Sequence, residues 1–170
     1  NLGFNYCDMK EYELSQDYLL RSLTMYKEMY GEDCVDTEVA KVLNDLGANY
    51  TEWGKYEQAT PYYHQSLQME KALHGEDCQN VPIARALTNL GHNQQRLKDY
   101  LAAEISFLES LKMYKTIHLN APNIIIAETY RHIGNNYHSM SKYTEAEENY
   151  GKGLALRDQL QTSDKILLAK

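Results

Sequence analysis

The stretch Leu87–Leu111, LTNLGHNQQRLKDYLAAEISFLESL, decides the fold of this chain. Apolar residues recur at steps of three and four, from Ala84 to Leu97 and again from Tyr100 to Met113. This spacing predicts two amphipathic helices joined by a short turn. Gly91 stands inside the first helix, where glycine costs roughly 1 kcal/mol relative to alanine. We expect the glycine to allow a close approach to the second helix, near Ala103.

The same pattern occurs four times along the chain. Each copy has a glycine that follows Leu or Ile and precedes an Asn by two positions, at Gly3, Gly47, Gly91 and Gly134. A tyrosine lies nine residues after each glycine, a large apolar residue sixteen after it and a leucine twenty after it. One such helix pair cannot bury its own apolar face, so the pairs must stack. We therefore predict an all-α fold, a right-handed superhelical solenoid of stacked antiparallel helix pairs.

The repeated motif resembles a known family. The spacing L-x2-L-G-x2-Y at 43–50, followed by A-x3-Y at 59–63, is similar to that of tetratricopeptide repeats. The connectors at 30–40 and 74–84 resemble those of the kinesin-light-chain-like subclass, whose repeats are longer, with Cys34 and Cys78 where that family has His. The resemblance implies a helical repeat array with a protein-binding function.

The period also predicts how the chain is organised. We expect a single array over 1–170, and its repeats fall at about 1–34, 35–78, 79–121 and 122–161, with the start of a fifth at 162–170. The first copy begins so close to its glycine that the leading turn of its first helix is missing. The sequence is therefore expected to be a fragment of a longer protein.

Composition limits the classes of partner. The net charge of −7 over 170 residues disfavours nucleic acid and anionic membranes as partners. No apolar run approaches the length of a membrane span, so membrane insertion is not expected. Three cysteines, an odd number, argue against a disulfide framework and favour free thiols in a cytoplasmic protein. His74 and Cys78 are four residues apart, but two ligands alone do not make a zinc site, so no metal is predicted.

The sequence offers little support for catalysis. It contains no phosphate-binding loop and no nucleophile elbow, so we predict no enzymatic activity, no catalytic residues and no cofactor. The fifteen tyrosines could suggest a stacking surface for bases, but most fall where the repeat needs a packing aromatic.

The first helix of each repeat is expected to line a concave groove. Counted from the repeat glycine, residues at helical spacing form a stripe that the core does not use. The predicted peptide-binding residues are Lys41, Asn44, Asp45, Arg85, Asn89, His92, Arg96, Arg131, His132, Asn135 and His138. In the third and fourth repeats the stripe carries three arginines and three histidines against Glu128 alone. We therefore expect a protein or peptide ligand with acidic residues or a free carboxylate.

Two alternatives remain open at this point, a peptide-binding adaptor and a structural or self-associating arm. Kinesin light chains, which this chain resembles, recognise short peptides with acidic residues around a tryptophan, and this supports an adaptor function. The carboxylate clamp of chaperone-binding relatives is matched only at Asn89, so a chaperone tail is not predicted. The second alternative is a structural or self-associating repeat arm of a larger signalling protein, which would associate through exposed repeat ends.

Overall fold

The computed structural model describes residues 11–31, 34–76 and 78–168. The chain divides into two compact units, Asn1–Cys78 and Gln79–Lys170, and this division coincides with the predicted boundary between the second and third repeats. The described part of the first unit contains α1 (Tyr12–Tyr30), α2 (Thr37–Glu52) and α3 (Tyr56–His74). The second contains α4 (Val81–Arg96), α5 (Tyr100–Ile117), α6 (Ile124–Ser139) and α7 (Tyr143–Leu168). The predicted all-α helical repeat fold is confirmed.

Each described first helix, in the second, third and fourth repeats, begins after an Asp or Asn. The side chains of Asp36, Asn80 and Asn123 accept hydrogen bonds from backbone N–H groups in the first turns of α2, α4 and α6. Such a cap satisfies a backbone donor that the helix itself leaves without a partner, and it is worth about 1 kcal/mol. The connectors therefore fix where each first helix starts.

The turn inside the second, third and fourth repeats uses a left-handed residue at one equivalent position. This residue is Gly54 in the second repeat, Lys98 in the third and Ser141 in the fourth, with φ angles of 79°, 64° and 61°. Only glycine adopts this conformation without steric cost, so Lys98 and Ser141 are held there by the packing of the two helices that they join. The sequence predicts the turn but not the left-handed backbone conformation of this one residue.

The repeat glycines make room for an aromatic ring rather than for an alanine. A methyl group added at Gly91 would lie 2.8 Å from Cε1 of Phe107, and one at Gly47 would lie 2.7 Å from Cε1 of Tyr63. The expected contact near Ala103 is therefore wrong in its partner, although Ala103 is buried beside it. The close approach is between a helix backbone and a ring four residues further along the second helix.

In the second unit, α6 covers the face of the preceding helix pair. Its Ile126, Tyr130 and Ile133 pack in one buried cluster with Phe107 and Tyr114 of α5. These three residues lie at i, i+4 and i+7, which places them on one side of α6. The apolar face of the third repeat is thus covered by the first helix of the fourth repeat.

In the second and fourth repeats, the asparagine two residues after the repeat glycine links its repeat to the one before. The side-chain amide of Asn49 donates to the backbone carbonyl of Tyr12 at 3.0 Å, and Asn136 donates to that of Tyr100 at 2.8 Å. Both asparagines are buried. The acceptors are the first residues of α1 and α5, so each bond ties one repeat to the second helix of the repeat before it.

Replacement of Asn136 by Ala is expected to lower the free energy of unfolding by about 1–3 kcal/mol, because a buried hydrogen bond is removed and the space of the amide is left empty. Urea unfolding followed by circular dichroism measures the change. Asn149→Ala is the matched control, since the Asn149 amide bonds only within α7, to the carbonyl of Glu145. Equal losses in the two variants would contradict a role for Asn136 in joining repeats.

Helix α7 is longer than the other second helices. It has 26 residues, whereas α3 has 19 and α5 has 18. Position 162, the predicted start of a fifth repeat, lies inside this helix and not in a turn. A fifth repeat stays a prediction.

The two described cysteines are free thiols, as expected. Cys34 and Cys78 are both half-buried and form no disulfide. Cys7 lies outside the described residues.

Candidate peptide-binding face

The predicted stripe lies on the first helices α2, α4 and α6. In the first unit, Lys41 on α2 is exposed, while Asn44 and Asp45 are half-buried. The ammonium group of Lys41 pairs with Glu38 one turn earlier. The positive charge of Lys41 is therefore balanced on α2 itself.

On α4, two arginines point out from the same side of the helix. Arg85 and Arg96 are eleven residues apart, which corresponds to three turns and about 16 Å along the axis. Both side chains are exposed, and within the described ranges neither guanidinium forms an ion pair. Asn89, between them, is half-buried and has a bonding partner.

Two predicted histidines meet between α4 and α6. The rings of His92 and His132 lie 4.1 Å apart between centroids, nearly perpendicular to each other. Phe107 of α5 contacts both, edge-on to His92 at 5.2 Å and stacked with His132 at 5.9 Å. The three rings form a cluster, which we call the histidine–phenylalanine cluster.

Burial keeps these histidines uncharged. Desolvation lowers the pKa of His92 to about 4, with further contributions from the positive charges of Arg131 and Arg96. Desolvation also lowers the pKa of His132 to about 3, with His92 and Arg131 as additional causes. Both rings are therefore neutral at pH 7, and the positive charge of this face comes from arginine. The two histidines form an aromatic floor between the flanking guanidinium groups.

Arg131 is held by an acidic residue that also holds a second arginine. Its guanidinium pairs with Glu128 at 2.8 Å, and the same carboxylate pairs with Arg157 of α7. Arg157 was not part of the predicted stripe, because that stripe was defined on first helices alone. Arg131 and Arg157 thus share the single carboxylate of Glu128.

The remaining predicted residues take different surroundings. Asn135 accepts a hydrogen bond from the hydroxyl of Tyr150 at 2.8 Å, so its amide is oriented by α7. His138 is exposed and packs edge-on against Tyr143 at 5.4 Å, at the start of α7. His138 therefore lies at the opposite end of α6 from the arginine pair with Glu128.

Other kinds of site find little support in the described residues. Within 11–31, 34–76 and 78–168, no group of three or more His, Cys, Asp or Glu side chains is arranged to hold a metal ion. His74 lies beside Glu70, with 3.4 Å between Nε2 and Oε2, instead of forming a site with Cys78. None of the described helices has both the length and the apolar character needed to cross a membrane.

The chain belongs to the tetratricopeptide repeat family. A family model described as "Tetratricopeptide repeat" matches residues 1–72, 38–116 and 82–159, which together cover most of the chain. The family resemblance seen in the sequence is thereby confirmed. No curated protein matches the sequence.

Solved structures with the same fold share little sequence with this chain. BtubC (BKLC) from P. vanneervenii has a TM-score of 0.84 at 20% identity, over 94% of this chain and 62% of that one. Aspartyl phosphate phosphatase F from Bacillus subtilis has a TM-score of 0.77 at 20% identity, over 94% and 39%. A putative kinesin light chain from Podosopora anserina has a TM-score of 0.78 at 11% identity, over 93% and 72%. The chain spans about three fifths and two fifths of the first two.

These comparisons define the class of protein. Tetratricopeptide repeats form helical scaffolds for protein–protein interaction, and this chain is such a scaffold. At these identities the solved structures support the fold alone.

Proposed function

We propose that the face of α4 and α6 binds an extended acidic segment of a partner protein. The segment runs along α4, over the histidine–phenylalanine cluster, with its carboxylates directed at Arg85 and Arg96. The 16 Å between these arginines along α4 matches about five residues of extended chain. Side chains of an extended chain alternate between its two faces, so acidic residues four positions apart, about 13 Å along the chain, would lie on one face and reach both guanidinium groups.

The observation that supports this proposal most directly is the pair of exposed arginines on α4. Guanidinium groups form charge-assisted and often bidentate hydrogen bonds with carboxylates, which are roughly twice as strong as neutral ones. Because both groups lack an ion pair among the described residues, a ligand does not have to break one to reach them. The neutral rings of His92 and His132 offer apolar contact between the two charged positions.

The electrostatic contrast with the rest of the molecule adds to the proposal. A basic face on a protein of net charge −7 attracts acidic ligands locally while the molecule as a whole repels them. Such an arrangement favours selectivity and fast association more than raw affinity. Binding is accordingly expected to weaken as the salt concentration rises.

Replacement of Arg85 and Arg96 by Glu should abolish acidic-peptide binding. The probe is a fluorescein-labelled octapeptide with two glutamates four positions apart, measured by fluorescence anisotropy at low salt. Each charge-assisted bond contributes about 1.5–3 kcal/mol, so the double variant should bind at least about 100-fold more weakly.

Two controls define the test. Lys112→Glu changes an exposed charge on α5 by the same amount as either arginine replacement alone and should leave binding nearly unchanged. The same octapeptide with glutamines in place of the glutamates should not bind the unmodified chain. Equal binding of both octapeptides, or an unaffected Arg85→Glu/Arg96→Glu variant, would contradict the proposal.

The other predictions about function remain proposals. A structural or self-associating arm would leave the α4 arginines without a ligand and would appear as association in a sedimentation series. The name of aspartyl phosphate phosphatase F describes that neighbour, and we propose no catalytic role for this chain. A cytoplasmic location and the exclusion of nucleic acid remain predictions from composition.

A further inference from the structure

A second candidate surface lies on the face of α6 and α7. A pocket of about 370 Å³ opens there. Its walls are apolar at Ala127, Gly153 and Leu154, and two guanidinium groups, Arg131 and Arg157, stand beside them. Leu154 is 61% exposed although it occupies the leucine position of the repeat.

The third repeat shows what this kind of face accommodates. The residues equivalent to Ala127, Tyr150 and Leu154 are Ala84, Phe107 and Leu111, one repeat earlier. All three of these are buried, in the cluster that contains Ile126, Tyr130 and Ile133 of α6. The same face in the third repeat therefore receives an amphipathic helix that presents large apolar side chains at i, i+4 and i+7.

Among the positions of this face that differ between the third and fourth repeats, two are charged in the fourth. Arg131 stands where the third repeat has Thr88, and Arg157 stands where it has Tyr114. Tyr114 is buried beneath α6, whereas Arg157 is exposed and pairs with Glu128. A helix covering the fourth repeat would meet two guanidinium groups in place of a hydroxyl and a phenol ring. Burial of these charges requires carboxylates on that helix.

The length of α7 argues against a cover supplied by the following residues at the usual spacing. In the second and third repeats, the second helix ends at His74 and Ile117, and the chain then turns towards the next first helix. Counted from the repeat glycine, the corresponding positions in α7 are 161 and 160, and the helix continues through Leu168. Along this stretch the chain remains in α7 and does not return to the open face.

A second copy of this face is also a poor occupant. Two copies related by a two-fold axis would enclose Arg131 and Arg157 of both copies in one interface. Like charges in a desolvated interface are costly.

We propose that the α6–α7 face docks an amphipathic helix of a partner protein. This helix carries large apolar side chains at i, i+4 and i+7 and carboxylates that reach Arg131 and Arg157. The carboxylate of Glu128 already bridges both guanidinium groups. A carboxylate of the partner binds at the same place, either beside Glu128 or instead of it. The surface is separate from the arginine pair of α4.

The test uses two synthetic helical peptides and the chain as it exists. Both peptides are fluorescein-labelled 16-residue helices with Ile, Tyr and Ile at i, i+4 and i+7, flanked in one peptide by glutamates and in the other by lysines. The glutamate peptide should bind at least about tenfold more tightly, as measured by anisotropy. Arg157→Glu should reverse this preference, and Leu154→Asp should weaken both peptides. Arg157 and Leu154 are exposed, so these variants are expected to fold.

Further variants make the outcome decisive. Glu128→Gln should strengthen binding of the glutamate peptide severalfold, because it removes the internal competitor. The variant with Arg85→Glu and Arg96→Glu should leave this peptide's affinity unchanged, so the two proposed surfaces can fail independently. Equal binding of the glutamate and lysine peptides would overturn the proposal. So would dimerisation in sedimentation experiments that Leu154→Asp abolishes, since the occupant would then be a second copy.

Discussion

Acidification from pH 7 to pH 4 is expected to lower the free energy of unfolding by several kcal/mol through His92 and His132. Both have a lowered pKa in the folded chain, about 4 for His92 and about 3 for His132, against an ordinary value of 6.5. Between these values the unfolded chain binds protons that the folded chain does not, so stability falls as the pH decreases below about 6.5. At about 1.4 kcal/mol per pKa unit, the effect of His92 alone is roughly 3 kcal/mol.

The cause is the position of the rings. His92 and His132 face each other, they pack on Phe107, and Arg96 and Arg131 stand close enough to oppose a further positive charge. Protonation of one ring also opposes protonation of the other. The folded state therefore resists the charge that the unfolded chain accepts freely.

Variants separate these two histidines from the carboxylates that also titrate in this range. Urea unfolding at pH 7, 6, 5 and 4 should show a shallower loss of stability for His92→Gln with His132→Gln than for the unmodified chain. His64→Gln, an exposed position on α3, is the control and should leave the slope unchanged. A double variant with the same slope as the unmodified chain would show that the cluster is protonated without penalty.

Replacement of Gly91 by Ala is expected to destabilise the chain, although alanine is the better helix former. The added methyl would lie 2.8 Å from Cε1 of Phe107, a fully buried ring held by two histidines. Overpacking of this kind costs about 1–3 kcal/mol, and the gain of roughly 1 kcal/mol in helix propensity offsets only part of it. The net loss should be up to about 2 kcal/mol in urea unfolding.

Two other glycines of the chain serve as comparisons for Gly91→Ala. Gly151→Ala on α7 has no neighbouring atom within 4 Å and should stabilise the chain by up to about 1 kcal/mol. Gly134→Ala places the methyl 2.6 Å from Tyr150, but this ring is only half-buried and can move, so the loss should be smaller than at Gly91. A stabilising Gly91→Ala would contradict the close approach. A double-mutant cycle with Phe107→Leu should show coupling between the two positions.

The repeat period was sufficient to predict the helix pairs and the side of each first helix that stays out of the core. It was not sufficient to identify the partners. The purpose of Gly91 was predicted, but its neighbour is Phe107 and not Ala103, because the crossing of two helices is not contained in the spacing of either one. The repeated asparagine was visible as a pattern, yet its acceptor, the first carbonyl of α5 for Asn136, is 36 residues away.

The electrostatics of the candidate face were harder to predict. Counting residues on first helices identified Arg85, Arg96 and Arg131 but could not include Arg157, which reaches Glu128 from α7. The same count treated His92 and His132 as polar surface residues. Their contact across two helices buries them, and burial determines their charge.

Each described glycine that receives a ring has that ring in its own repeat, as with Gly47 and Tyr63 or Gly134 and Tyr150. A gene segment that encodes one such unit therefore carries both members of the matching pair when it is duplicated or deleted. Arrays of this type can change length by unequal recombination without creating a mismatched glycine and ring. The complementary pair inside the repeat is thus a reason why such arrays can grow and shrink during evolution.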